Sequence, residues 1–326
     1  MANKLGLKVA VLVLASASVL TACSSSTTTS GTTAASSGAA ATKKIKIGAS
    51  FPILDQFLQK VADGMKAEAA KQGAELVIVS ADEKSDVQLS QIENFISQKV
   101  DAILVLPQST DDVGPINPKV TAAKIPLVYV NRRPSDQPAG VPYVGSDSLV
   151  SGVLEMTELA KLAGGKGNVA ILSGDLSQEA AQLRTKGCKD VIAKNPNMKL
   201  VKEATGTWQR DKGQSVMENW LQSGTQIDVV CANNDEMALG AINAIKAAGK
   251  KLGTGGILVG GVDATGDALA AMKDGDLPVT VFQDAAGQGG GGVAAAIKLI
   301  KGEKVDAYVD IPYQLVTPDN MSKFQK

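Results

Sequence analysis

The stretch that decides the fold is IKIGASFPILDQFLQKVADGMKAEAAKQGAELVIV, residues 45–79. It holds an apolar run at Ile45 to Ala49, then a stretch from Phe57 to Gln72 in which Phe57, Val61, Met65 and Ala69 recur every four residues, then a second apolar run at Leu76 to Val79. A spacing of four puts those side chains on one face of a helix, and short uninterrupted apolar runs are what strands covered on both faces require. The alternation continues through runs at Ile103 to Leu106, Leu127 to Val130, Val169 to Leu172, Val229 to Ala232, Ile257 to Gly260 and Val279 to Phe282. Strand and helix in alternation mean parallel sheets with helices on both sides. Eight such runs exceed one ordinary domain, so the expectation is an α/β fold of two similar doubly wound parallel-sheet domains.

Ligands of such sheets sit beyond the carboxyl ends of the strands, and here those ends carry the polar residues. Val130 leads into Asn131-Arg132-Arg133, Ala232 into Asn233-Asn234-Asp235, Val262 into Asp263, and Phe282 into Gln283-Asp284. Carboxylate, amide and guanidinium groups gathered at one sheet end suit a ligand with many hydroxyls, because each hydroxyl both donates and accepts. Any one of these residues taken alone is explained as a turn or a helix cap.

Composition removes several function classes. Basic and acidic residues balance at 33 each, so no overall field steers the chain toward nucleic acid. Histidine is absent, which excludes imidazole zinc ligands and every Ser-His or Cys-His arrangement. Cys23, Cys188 and Cys231 lie far apart with no metal-ligand spacing, so no metal site is expected. Cys188 and Cys231 are read as free, buried thiols serving as small hydrophobes, although an oxidising compartment would permit a disulfide. The acids Asp82 and Glu83 read as solvated charges, and Trp220 as packing on a helix.

The N-terminus points to export. Lys4 and Lys8 precede the apolar run Val9 to Leu14 and a small-residue segment ending in Leu20-Thr21-Ala22-Cys23, the layout of a bacterial lipoprotein signal peptide over residues 1–22 with Cys23 as the lipidated residue. Ser24 to Thr42 contains only Ser, Thr, Gly and Ala, a composition that has nothing to bury and acts as a flexible tether. The expected location is the cell envelope, either the periplasm or the outer face of the cytoplasmic membrane.

From Lys43 to the end the sequence resembles the ribose-binding-protein-like family of bacterial sugar-binding proteins. The resemblance rests on Asn234-Asp235-Glu236-Met237-Ala238-Leu239-Gly240-Ala241, Val144-Gly145-Ser146-Asp147, Arg184 with Gly187, Lys301-Gly302-Glu303-Lys304 and Gly261-Val262-Asp263. It implies the type I periplasmic binding protein fold, two lobes joined by a three-strand hinge, divided as 43–146 plus 284–312 and 147–283 plus 313–326. It further implies ligand contacts from Asp55, Phe57, Asn131, Arg132, Arg184, Trp208, Asn234, Asp263 and Gln283. The implied function is capture of a monosaccharide or cyclitol by a monomer that delivers it to an ABC transporter permease, with a chemoreceptor as the alternative partner. No cofactor, catalysis or nucleic acid enters this reading. Pro107, Val262 and Leu58 depart from the family pattern, where Asn or aromatic residues are common, and suggest a roomier pocket with less grip on apolar faces.

Other readings carry less. Gly287, Gly289 and Gly292 match GxGxxG ahead of a helical stretch at Val293 to Lys301, with Asp310 at a dinucleotide-like distance. A Rossmann half needs further strand–helix units beyond the motif, so the glycines are expected to let a helix pack closely. A sugar-responsive repressor would need a DNA-binding helix-turn-helix where the export signal stands. An extracellular glycosidase would have to use Asp55 and Asp263 as its carboxylate pair.

Overall fold

The computed structural model describes residues 43–111 and 113–325; the expected signal peptide, Cys23 and tether lie outside the described residues. The chain begins β1 (Lys46–Phe51), α1 (Gln56–Lys71), β2 (Glu75–Ser80), α2 (Ser85–Ser97), β3 (Ala102–Val105), α3 (Ile116–Ala123), β4 (Leu127–Val130) and β5 (Tyr143–Gly145). It continues α4 (Ser148–Leu162), β6 (Lys166–Ser173), α5 (Glu179–Ala193), β7 (Asn197–Thr205), α6 (Arg210–Gln222), β8 (Val229–Ala232), α7 (Asp235–Ala247), β9 (Leu258–Gly260) and α8 (Gly266–Lys273). Last come β10 (Thr280–Phe282), α9 (Ala285–Ile300), β11 (Tyr308–Asp310) and β12 (Gln314–Val316). The expected alternation is therefore present, with twelve strands among the described residues where eight runs were read.

Two parallel sheets result. The first has the order β11-β5-β4-β3-β1-β2 and the second β7-β6-β8-β9, while β10 and β12 form an antiparallel pair beside it. In the first sheet Ala49 stands opposite Ile78 on one side and Leu104 on the other. Period-two alternation sends neighbouring residues to opposite faces, and both faces are buried as a parallel sheet demands. Thus Leu104, Val128 and Val130 pack with Val61 and Met65 of α1 and Val293 and Ile297 of α9. Their neighbours Ile103, Val105 and Tyr129 pack with Ile92 and Phe95 of α2 and Val120 of α3. In the second sheet Ala170 and Leu172 face Met217, Trp220 and Ile245, whereas Val169 and Ile171 face Met156, Leu159 and Val191. Trp220 is the packing residue the sequence led us to expect.

The chain passes between the two sheets three times. β5 belongs to the first sheet and α4 packs on β8 and β9; β10 lies with the second and α9 packs on α1; β11 returns to the first sheet and β12 to the second. Passage thus occurs at residues 146–147, 283–284 and 311–313. The first and third passages are tied together, since Ile311 N–H donates to Gly145 O at 2.8 Å and the Ser146 hydroxyl donates to Ile311 O.

Two sequence expectations need correction. Gly287, Gly289 and Gly292 do not precede the helix but lie inside α9. The reason is the approach of α9 to α1: a Cβ at Gly289 would overlap the Val61 carbonyl, and one at Gly64 the Ala286 backbone, so the contact overrides glycine's poor helix propensity. Cys188 on α5 and Cys231 on β8 are not free thiols but form a disulfide. Both are fully buried in one core cluster, with Cα atoms 6.7 Å apart, within bridging reach. No helix among the described residues is long and apolar enough to cross a membrane.

Candidate functional site

Parallel strands deliver their carboxyl ends to one edge of each sheet, and the residues that follow them meet between the two. A recess of about 60 Å³ is bordered by Asp55, Phe57, Asn131, Arg132, Arg184, Trp208, Asn234, Asp263 and Gln283, together with Leu58, Gln178 and Ala180. All nine residues expected at the site are therefore brought together. Asp55, Phe57, Arg132, Trp208, Asn234 and Asp263 also line the cleft of about 450 Å³ outside it.

Most of the polar side chains are committed on one side and open on the other. Asp55 ends the loop after β1 and caps α1, its Oδ1 accepting the Leu58 N–H at 2.7 Å, with the Phe57 N–H also favouring the carboxylate. Burial raises the Asp55 carboxyl above its usual range, against the Leu58 N–H and Arg132, which favour the charged form. Asn131 donates through Nδ2 to Gln288 Oε1 at 2.8 Å, which leaves its carbonyl oxygen as an acceptor. Arg132 donates Nη1 to the carbonyls of Pro107 and Gln108, both at 3.2 Å. Loss of water brings its guanidinium down to about 10, with Asp55, Asp175 and Glu83 acting the other way. Pro107, which has no amide side chain to offer, contributes its carbonyl instead.

The second sheet supplies the rest. Arg184, one turn before Cys188 on α5, is buried and donates to Asn233 O at 2.6 Å, Gln283 Oε1 at 2.8 Å and the Tyr313 hydroxyl at 2.9 Å. Gln283 is left with its amide nitrogen as a donor. Asp263 lies 3.9 Å from Arg184 Nη1 and its carboxylate takes part in no hydrogen bond among the described residues. Burial holds its pKa well above the usual range, opposed by Arg184. Asn234 caps α7 by accepting the Met237 N–H at 3.1 Å and donates to Trp208 O at 3.1 Å. Thr265 caps α8 through the Ala268 N–H. Trp208 and Phe57 are half-buried and give the recess its aromatic surface.

Backbone strain collects at the same place. Asn131 (φ 62°), Trp208 (φ 68°) and Asp263 (φ 119°) all have positive φ, which costs non-glycine residues energy and persists where surrounding structure enforces it. Asp263 is enforced by its N–H to Val281 O at 2.7 Å.

Several lining residues were missed or misread from sequence. Glu83 is the exposed loop charge that was expected, and it also borders the cleft. Gln178 borders the recess and holds the Trp208 indole N–H at 3.0 Å; the strand-end rule applied to Val169–Leu172 would have pointed to its loop. At the cleft mouth Arg210 is engaged by Glu236, with two bonds of 2.8 Å, and by Asp267 at 2.6 Å, so its charge is neutralised within the protein. Val262, read as a departure in the pocket, is instead fully buried beside Val281 and Tyr313.

Comparison with known proteins identifies the family to which this fold belongs. A protein of Rhizobium meliloti named for rhizopine binding is 45% identical over 286 residues, covering 86% of this chain and 92% of the relative. A xylitol-binding protein of Mycolicibacterium smegmatis is 37% identical over 277 residues, covering 85% and 78%. The crystal structure of an ABC transporter solute-binding protein from Bacillus halodurans C-125 with bound myo-inositol superposes with a TM-score of 0.83 at 45% identity, covering 86% of this chain and 97% of that one. Residues 47–304 match the family model described as periplasmic binding protein domain. That match runs through both sheets and across all twelve residues that border the recess, and the chain belongs to the periplasmic binding protein family.

Proposed function

We propose that this chain is an exported solute-binding protein that closes its two lobes on one cyclitol or monosaccharide, with myo-inositol the first candidate, and delivers it to an ABC transporter permease. The observation that carries the reading is the recess itself: Asp55 and Asp263 offer accepting oxygens, Arg132 and Gln283 offer donors, and aromatic rings stand beside them. A ring bearing hydroxyls can satisfy such a set from its edge while its C–H faces lie on Phe57 and Trp208. Myo-inositol in the Bacillus halodurans neighbour is a ring of this kind, and the xylitol for which the Mycolicibacterium relative is named is an open-chain polyol with the same uncharged hydroxyl chemistry. The family consists of binding proteins, and capture requires no bond to be broken; the carboxylates act as acceptors for ligand hydroxyls.

A ligand that binds only the folded state raises the melting temperature by mass action, by the equivalent of about 2.7 kcal/mol at a hundred times Kd. The test is a thermal-shift series with myo-inositol, xylitol, ribose and other monosaccharides, followed by calorimetric titration. A clear rise with one cyclic polyol is expected. No shift with any of them would refute the reading.

Two finer parts of the proposal are tested separately. The lobes are taken as 43–146 plus 284–312 and 147–283 plus 313–326, so small-angle scattering should show a smaller radius of gyration with ligand than without. Cys23 is taken as the lipid-bearing residue of the mature protein, on the Leu20-Thr21-Ala22-Cys23 run. Membrane fractionation should find the wild type in the membrane fraction and Cys23→Ala in the soluble one; equal partition would overturn the anchor.

A further inference from the structure

We infer that Gln178 is a positioning residue that sets the Trp208 ring and ties that setting to the arginine-bearing loop of the opposite lobe. The inference rests on the function proposed above, but its first half is measurable without ligand. Gln178 is the buried residue immediately before α5. Its Oε1 accepts the Trp208 indole N–H at 3.0 Å, and its Nε2 donates to Gln108 O at 3.4 Å, toward the long end for a hydrogen bond. An indole N–H only donates and a backbone carbonyl only accepts, so the bridging group must do both, which a side-chain amide does. The same Gln108 carbonyl, with that of Pro107, holds Arg132. A connected path thus runs from Trp208 of one lobe through Gln178 and Gln108 to Arg132 of the other.

Two further observations show why this path matters. Trp208 has a backbone φ of 68°, and its ring lies flat on Gly174, where a Cβ would overlap the indole. Its setting therefore depends on outside partners: Asn234 holds its carbonyl and Gln178 its ring. Around Gln178 the lobes are joined at one seam. Thr110 N–H donates to Ser177 O at 2.9 Å and the Ser109 hydroxyl to the same oxygen at 3.2 Å. The Glu179 N–H donates to the Thr110 hydroxyl at 2.7 Å. Gln178 stands at the N-cap position of α5 yet makes no side-chain cap, because its amide is engaged with Trp208 and Gln108. The hydroxyl from the other lobe satisfies that first-turn N–H instead, so opening the seam would uncap the helix that carries Arg184.

The experiment uses the Trp220→Phe background, which leaves Trp208 as the only indole of the two in the chain. Gln178→Glu keeps an acceptor for the indole and loses the donor to Gln108; Gln178→Leu loses both. In ligand-free protein the Leu variant should shift the Trp208 emission and lower its anisotropy, while the Glu variant should keep the parent emission. With myo-inositol the Leu variant should bind at least tenfold more weakly and the Glu variant several-fold more weakly, with faster release. Parent-like emission in the Leu variant, or identical emission changes in both variants, would overturn the inference. If the parent protein binds no polyol, the function proposed above fails, while the ligand-free emission of the two variants still decides the role of Gln178.

Discussion

Replacing Asp263 with asparagine separates the contribution of its charge to binding from its contribution to the fold. Shape is almost unchanged, and at φ 119° asparagine is better tolerated than most side chains, so the exchange adds little backbone strain. The Asp263 N–H bond to Val281 and the pairing with Phe282 involve only the main chain and survive. The carboxylate is buried, lies 3.9 Å from Arg184 and is held well above its usual pKa by loss of water. Removing an ionisable group so placed should leave the melting temperature of the ligand-free protein unchanged or slightly raised. Binding should suffer. A carboxylate accepting two neighbouring hydroxyls makes two charge-assisted hydrogen bonds of about 1.5–3 kcal/mol each, against about 0.5–1.5 for neutral ones. The loss is then about 2–3 kcal/mol, or roughly 30- to 150-fold in Kd. Titration calorimetry with myo-inositol and scanning calorimetry without it read the two effects independently. Affinity within twofold of wild type would refute the placement of Asp263 against ligand hydroxyls, and a large fall in melting temperature would refute the claim that its charge burdens the fold.

Three other outcomes are expected. Cys188→Ala with Cys231→Ala opens a cross-link spanning 43 residues, which should lower unfolding free energy by up to about 4 kcal/mol on the chain-entropy account, measured by urea titration; no change would mean the bridge constrains nothing. Gly289→Val should destabilise by several kcal/mol, since its Cβ meets the Val61 carbonyl, and overpacking costs about 1–3 kcal/mol even where side chains can shift; a wild-type midpoint would show that α1 and α9 can separate freely. Glu155 is fully buried, its Oε1 accepts the Ala232 N–H at 2.9 Å, and its other oxygen has no partner among the described residues. Burial, reinforced by Asp235, raises its pKa well above the usual value, so folding takes up a proton and native stability falls as pH rises from the carboxylate range toward that raised value. Glu155→Gln should flatten the slope across that window, read from melting temperatures at stepped pH; an unchanged slope would assign it to other groups.

What the sequence revealed depended on how local each signal was. Leu127–Val130 and Val229–Ala232 match their strands to the residue because both are buried on two faces and read as unbroken apolar runs. β7 escaped because it is an edge strand whose exposed positions include Lys199 and Glu203, with Lys202 half-buried between them, so its pattern looks like a loop. β5, β11 and β12 are three residues each, and unlike the equally short β9 and β10 they lie in no apolar run of four that would mark them. The glycines of α9 read as a break because propensity is local, whereas the approach of α1 that selects them is not. The disulfide was invisible for the same reason: nothing in a separation of 43 residues tells how close two Cα atoms come. The recess, by contrast, was legible, since strand ends are local and the resemblance marked which of them face inward. Gln178 was not, because it lies five residues past the end of β6 and its importance comes from a tryptophan thirty positions away.

The double use of helix caps makes the site unevenly open to retooling. Asp55, Asn234 and Thr265 each hold the first turn of a helix while bordering the cleft. Exchanging such a residue to suit a different ligand also removes a cap, at about 0.5–2 kcal/mol apiece, against a total stability of about 5–15 kcal/mol for a folded domain. Two such exchanges together would threaten folding before selectivity could be judged. Phe57 and Arg132 carry no capping duty, and Gln283 lies one residue before the cap of α9, Asp284. A library aimed at a new polyol should therefore vary Phe57, Arg132 and Gln283 first and keep the three caps fixed, so that a change in ligand choice is read on a protein that still folds.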